Sequence, residues 1–341
     1  MEYRYLGRTG LLVSALCFGT QTFGWVADEP ASHAMLDRFV AAGGNFLDSA
    51  DTYNRGQSET ILGNWIAGRG RRDDLVVATK VFFPTGPDPN DRGLSRVHIM
   101  ASVEGSLRRL RTDHIDLYQM HCWDAATPLE ETIRAMDDLV RAGKVRYLGA
   151  SNFTPSQVDR AVMLSRMNDW VRVDCLQPEY SLLVRSPEWE LLPLCRSEGI
   201  GVLPWSPLAG GWLSGKYRKG QAPPEGSRAG RRDRFEDLPE QRANEQAWRV
   251  IDELEAVARE AARTPSQVAL NWLLQQPGVT APIFGARTVE QLEENLDSVG
   301  WALAPEFVVR LADASATPHP SPHSFVARYT RQRPGREPLA P

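Results

Sequence analysis

The chain has 341 residues, 42% hydrophobic and 24% charged, enough to bury a large core in one α/β barrel or two smaller domains. A formal net charge of -4 excludes a dedicated nucleic-acid binder with a basic face, and no apolar run approaches the length of a membrane span. Only four of the 39 basic residues are lysines (Lys80, Lys144, Lys216 and Lys219), so a lysine inside an apolar strand asks for a reason.

Residues 1–12 alternate around Gly7-Arg8-Thr9-Gly10 and predict a β-hairpin that closes one end of the fold. Eight short apolar, β-branched runs follow, at 15–19, 45–49, 75–81, 114–121, 145–151, 173–177, 201–206 and 281–285. Most are separated by about 30 residues, the length of one strand–helix unit. They read almost continuously apolar, as strands buried on both faces do. Amphipathic stretches lie between them. Residues 32–42 put Met35, Phe39 and Val40 on one stripe, and residues 246–262 do the same with Val250, Leu254 and Val257. Thr264-Pro265 reads as a helix cap followed by proline in the first turn. Eight such repeats predict a (β/α)8 TIM barrel, a single domain over 1–341. The interval between the seventh and eighth strands is too long for one unit. Residues 207–243 read as a lid-like insertion, and its Gly/Pro/Arg-rich part, 218–234, as either a mobile loop or a cover for an anionic ligand. An extra C-terminal helix and a proline- and arginine-rich tail, 317–341, complete the chain. Residues 1–5 lack the apolar core of a signal peptide, and Cys17, Cys122, Cys175 and Cys195 form no paired motif. A reducing, cytoplasmic setting is expected.

Barrel chemistry sits at the C-terminal ends of the strands. There the sequence offers Asp48 and Tyr53 after the second strand, Lys80 on the third and His121 at the end of the fourth. A phenol releases its proton near pH 10 and is a poor acid at neutrality. A buried ammonium beside it favours the phenolate, and a carboxylate keeps that ammonium charged. A histidine can hold a substrate oxygen. Any one of these residues alone would be a cap, a packed ring or a satisfied core histidine. Together they make an acid–base centre for an oxygen that gains or loses a proton. No histidine spacing suggests a metal site.

The segment Asn45-Phe46-Leu47-Asp48-Ser49-Ala50-Asp51-Thr52-Tyr53, with Val77-Ala78-Thr79-Lys80 and Asp116-Leu117-Tyr118-Gln119-Met120-His121, resembles the aldo-keto reductase superfamily. The likeness continues through Gly149-Ala150-Ser151-Asn152-Phe153, Leu176-Gln177-Pro178-Glu179-Tyr180, Pro204-Trp205-Ser206-Pro207, Gly285-Ala286-Arg287 and Gln291-Leu292-Glu293-Glu294-Asn295. It is similar to the bacterial branch near aryl-alcohol dehydrogenases, deoxysugar ketoreductases and potassium-channel β subunits. Asn54-Arg55-Gly56 departs from the glycine that many members carry directly after the tyrosine.

The resemblance implies NADPH, with NADH the lesser alternative, bound without a Rossmann fold. No GxGxxG follows a strand here. It implies that Ser151, Asn152 and Gln177 hold the nicotinamide amide and that Trp205 stacks on its ring. Ser206, Pro207, Leu208, Gly210 and Lys216 would hold the pyrophosphate, with Arg228 as a lid arginine. Gly285, Arg287, Gln291, Glu294 and Asn295 would meet the adenosine end, and Gly19, Thr20, Gln21 and Asp48 would complete the cofactor contacts. The implied reaction is reduction of a small carbonyl compound, with Tyr53 as proton donor, His121 orienting the oxygen, and Asp48 and Lys80 tuning Tyr53. Trp25, Tyr53, Phe82, His121 and Trp123 are the expected substrate wall, with Phe83 and Trp212 as further aromatic candidates. Aryl or aliphatic aldehydes and ketosugars fit equally. Two alternatives remain at this point: an NADPH-binding regulatory protein like the channel β subunits, and a metal-dependent barrel hydrolase or isomerase; a homo-oligomer of this chain stays open as a partner state.

Overall fold

In a computed structural model, which describes residues 1–231 and 239–330, the chain opens with the antiparallel pair β1 (Tyr3–Tyr5) and β2 (Leu12–Ser14), Tyr3 facing Ser14. The turn between them pushes Leu6 completely out of solvent. Gly7 has φ +56°, and a Cβ there would stand 2.5 Å from the Gly199 carbonyl oxygen, so the turn docks backbone against backbone and accepts only glycine. This hairpin stoppers the N-terminal end of the barrel, as its sequence predicts.

The barrel wall is β3 (Cys17–Gly19), β4 (Phe46–Asp48), β5 (Val76–Val81), β6 (Ile115–Met120), β7 (Val145–Ser151), β8 (Val173–Gln177), β9 (Gly201–Val202) and β10 (Ile283–Phe284). Each strand pairs in parallel with the next, and β10 returns to β3. The last gap closes through Thr280 N–H to the Val202 oxygen and Ile283 N–H to the Pro204 oxygen, both 2.8 Å. All eight predicted strands are present. β9 and β10 are shorter than expected, because Pro204 and Pro282 bring no N–H to the ladder.

Around the wall run α1 (Glu29–Ala41), α2 (Gln57–Arg69), α3 (Arg96–Leu110), α4 (Leu129–Arg141), α5 (Pro155–Asn168), α6 (Leu191–Glu198), α7 (Glu245–Glu260), α8 (Pro265–Leu274) and α9 (Val289–Leu296). Two more, α10 (Pro305–Ala314) and α11 (His323–Thr330), follow. α1 begins three residues before the expected 32–42, because Asp28 caps the Ala31 N–H and Pro30 fits the first turn. Met35 and Phe39 are buried and Val40 half-buried. α7 buries Val250, Leu254 and Val257, and Thr264 and Gln267 form a reciprocal capping box ahead of α8.

Two apolar cores result. One fills the barrel's lower interior with Leu6, Phe46, Val76, Leu117 and Cys175; the larger lies between wall and helices. Within 207–243, a turn over Ala209–Ser214 and single helical turns at Arg228–Arg231 and Pro239–Arg242 are formed, and residues 232–238 lie outside the described part. Of the tail, α11 replaces an expected irregular segment. His319 packs on Trp189, His323 Nε2 meets Glu190 at 3.0 Å, and residues 331–341 lie outside the described part. Among the described residues no helix is long and apolar enough to cross a membrane.

Candidate active site

Strand alternation decides what enters the barrel. On β5, Val76, Ala78 and Lys80 point inward; on β6 the inward row is Leu117, Gln119 and then His121. The apolar rungs fill the interior and the polar ones cap it.

Lys80 is fully buried. Its ammonium donates to Asp48 Oδ2 at 2.5 Å, to the Ser49 carbonyl at 2.7 Å and to Tyr53 Oη at 3.2 Å. All three hydrogens are used. Burial opposes the charge, but Asp48 and then Tyr53 outweigh it and hold the proton above the ordinary ammonium range. Because Tyr53 Oη accepts from Lys80, its own hydrogen is not spent on the lysine. The other Asp48 oxygen, Oδ1, accepts from Gln177 Nε2 at 3.0 Å and Gln119 Nε2 at 3.1 Å. The His121 ring stands edge-on to Tyr53, centroids 5.8 Å apart, and Phe83 closes on its other side at 4.8 Å.

The Tyr53 turn is unusual. Asn54, Arg55 and Gly56 are all left-handed, at φ 47°, 56° and 85°. Asn54 donates from Nδ2 to the Gly24 carbonyl and ties this turn to the loop bearing Trp25. The departure from the family's glycine therefore keeps the conformation that glycine favours, because asparagine tolerates it too.

Above this floor lies a cavity of about 1240 Å³. One end is Asp48, Tyr53 and His121; the middle is Ser151, Asn152, Gln177 and Trp205; the far end is Lys216, Arg228, Arg287, Gln291, Glu294 and Asn295. Gly19, Gln21, Trp25, Ser206, Pro207, Leu208, Gly210 and Gly285 also line it. Asn152, Ser206 and Ala209 carry positive φ, strain of the kind that gathers at binding sites. Asn152 donates to the His121 carbonyl at 2.9 Å and accepts from Trp205 Nε1 at 3.2 Å, and Ser151 donates to the Gln177 carbonyl at 2.8 Å. These groups are positioned by one another.

Burial lowers Lys216 to about 8, helped by Arg287, Arg228 and Arg231. Such a cationic cluster suits a polyanion. Arg287 donates to the Gly226 carbonyl at 2.7 Å, and Arg231 lies over the Trp25 ring at 5.4 Å, so residues 224–231 span the mouth.

Three expected contacts are not on the cavity wall. Thr20 is buried behind it, sharing its hydroxyl with Ser58 at 2.6 Å. Phe82 turns into the wall–helix core and its neighbour Phe83 faces the site instead, the reverse of the β5 alternation, because both lie beyond the end of the strand at Val81. Trp123 packs edge-on against Phe153 and borders a separate depression before α4. Trp212 is also buried, stacked on Tyr217 at 4.5 Å. Thr52, Asn54, Cys122, Ser214 and Ser266 line the cavity without having been expected. Among the described residues no group of three or more His, Cys, Asp or Glu could hold a metal.

Residues 15–316 match the sequence model of the Aldo/keto reductase family. The chain is 42% identical to the uncharacterized oxidoreductase YrpG of Bacillus subtilis, over 92% of this chain and 95% of that protein. It is 38% identical to a probable voltage-gated potassium channel subunit beta of Arabidopsis thaliana, over 88% and 91%. It is 35% identical to the norsolorinic acid reductase stcV of Emericella nidulans, over 95% and 84%.

Proposed function

The chain belongs to the aldo/keto reductase family and is an NAD(P)H-dependent oxidoreductase, and on that footing we propose that it reduces an aldehyde or ketone to an alcohol with NADPH. The observation that carries this is the Lys80 ammonium, whose hydrogens all go to Asp48, Ser49 and Tyr53 beneath an open cavity.

The cavity fits an extended dinucleotide: an aromatic and amide-lined floor at one end, a cation cluster at the other. NADPH supplies the hydride when bound. Gln177, Ser151 and Asn152 would hold its carboxamide, Trp205 its ring face, and Lys216 and Arg228 the pyrophosphate. Arg287 offers a planar fork to the 2′-phosphate, which is the reason to prefer NADPH over NADH. Tyr53 donates its proton to the carbonyl oxygen as negative charge develops there. Lys80 stabilises the phenolate left behind, Asp48 keeps Lys80 charged, and His121 fixes the oxygen's direction. Trp25 and Phe83 give the substrate end aromatic walls, which suit an aryl carbonyl or the apolar face of a sugar.

The test is a substrate panel of nitrobenzaldehyde, phenanthrenequinone and nucleotide-linked ketosugars, followed by NADPH absorbance. Turnover of any of them supports the reading. Tight NADPH binding with no turnover across the panel would replace it with a regulatory, cofactor-sensing role.

A further inference from the structure

We infer that Gln119 is a positioning residue that locks the Gln177 carboxamide, so that its carbonyl oxygen and not its amide hydrogens faces the cofactor's carboxamide.

Gln119 is fully buried on the inward row of β6, where an amide is costly unless both ends are satisfied. Both ends are. Its Nε2 donates to Asp48 Oδ1 at 3.1 Å, and its Oε1 accepts from Gln177 Nε2 at 3.1 Å. Gln177 Nε2 also donates to Asp48 Oδ1 at 3.0 Å. Gln177 therefore has one hydrogen held by a carboxylate and the other by Gln119. Turning the Gln177 amide over would set its oxygen against the Asp48 and Gln119 oxygens, a repulsion deep in a low-dielectric interior. The remaining Gln177 oxygen is left for an N–H donor.

The wall is shaped for this arrangement. Gly149 on β7 faces the pair, and a Cβ there would lie 2.8 Å from Gln119 Cγ and 2.6 Å from Cys175 Sγ. Any larger residue would push Gln119 off its partners. The same Asp48 that holds Lys80 through Oδ2 holds both amides through Oδ1, so the proton donor's support and the carboxamide acceptor share one anchor.

This inference rests on the proposed cofactor site, and its test is a binding preference, separate from turnover. The dissociation constants of NADP and its acetylpyridine analogue, in which a methyl ketone replaces the carboxamide and offers no N–H, are measured by tryptophan quenching. The proteins are wild type, Gln119→Met and Gln119→Leu, with melting curves to confirm folding. Wild type should prefer NADP by about tenfold, the worth of one buried hydrogen bond. Both variants leave the Gln177 amide held by Asp48 alone, with one of its two acceptors gone, and the preference should fall to about twofold or less. An unchanged preference in a folded variant, or equal weakening of both ligands, overturns the inference, since general loosening of the barrel would affect the two alike. If wild type binds NADP with the expected preference yet reduces no carbonyl, the reaction proposed above fails and this inference stands.

Discussion

Replacing Lys80 with methionine separates the two things this residue does. The side chain is fully buried, and its removal leaves Asp48 with amide donors but no counter-charge. Breaking a buried ion pair from one side costs about 3–5 kcal/mol, because the surviving charge stays desolvated. At about 2–4 °C per kcal/mol for a large domain, the melting temperature should drop by roughly 10 °C. Adding Asp48→Asn removes the stranded charge while its side-chain oxygen can still accept from Gln119 and Gln177. The double variant should regain most of the lost stability and none of the activity, since nothing then supports the Tyr53 phenolate. The pH dependence follows from the pair as well. Lys80 holds its proton above its ordinary 10.5, so the pair's contribution is complete below that value and is lost only as pH rises through the folded one. Melting curves of wild type, Lys80→Met and the double variant, taken near neutral pH, provide the measurement. A loss under about 1 kcal/mol for Lys80→Met, or no recovery on adding Asp48→Asn, would refute the claim that the ion pair governs this site.

Tyr53→Phe should abolish carbonyl turnover and leave NADPH affinity within about twofold, read by fluorescence titration, because only the hydroxyl is lost. Lys216 is lowered to about 8 by burial and its arginine neighbours, and a bound pyrophosphate should raise it. NADPH affinity should therefore be flat below that pH and weaken above it, with proton uptake visible by calorimetry in two buffers; Lys216→Arg should flatten the profile. Asp51 is pushed up to about 8 by burial and by Glu59. Its folded value lies above its ordinary 3.8, so stability is greatest below about pH 4 and declines as pH rises toward 8. Asp51→Asn should remove that slope in melts between those values. Arg287→Ala should erase the preference for NADPH over NADH; equal wild-type affinities would remove Arg287 from that role.

The barrel was legible because eight apolar runs repeat at strand–helix spacing, and the tetrad because Asp48, Tyr53, Lys80 and His121 stand at successive strand ends. What was hidden is what alternation cannot show when both faces are buried. Phe82 and Phe83 are adjacent aromatics, and sequence alone does not say which one faces the cavity. Gln119 had a readable signal: a polar residue two positions before His121, hence on the same row, inside an apolar strand. Trp123 lies two residues after His121, but it turns away to pack on Phe153, a contact about 30 residues distant that no local pattern reports.

The inward rows carry one more consequence. Phe46 precedes Asp48, Ala78 precedes Lys80, Leu117 precedes Gln119, and Cys175 precedes Gln177, each by two residues. A single strand thus serves as ballast at its lower rungs and as reagent at its upper ones. Tolerance to substitution should change abruptly over about 7 Å of one strand, the rise of two residues. Sequence drift in the lower layer would then be bounded by volume, and in the upper layer by charge and hydrogen-bond direction. A redesigned core could be slid beneath this chemistry without the chemistry being rewritten.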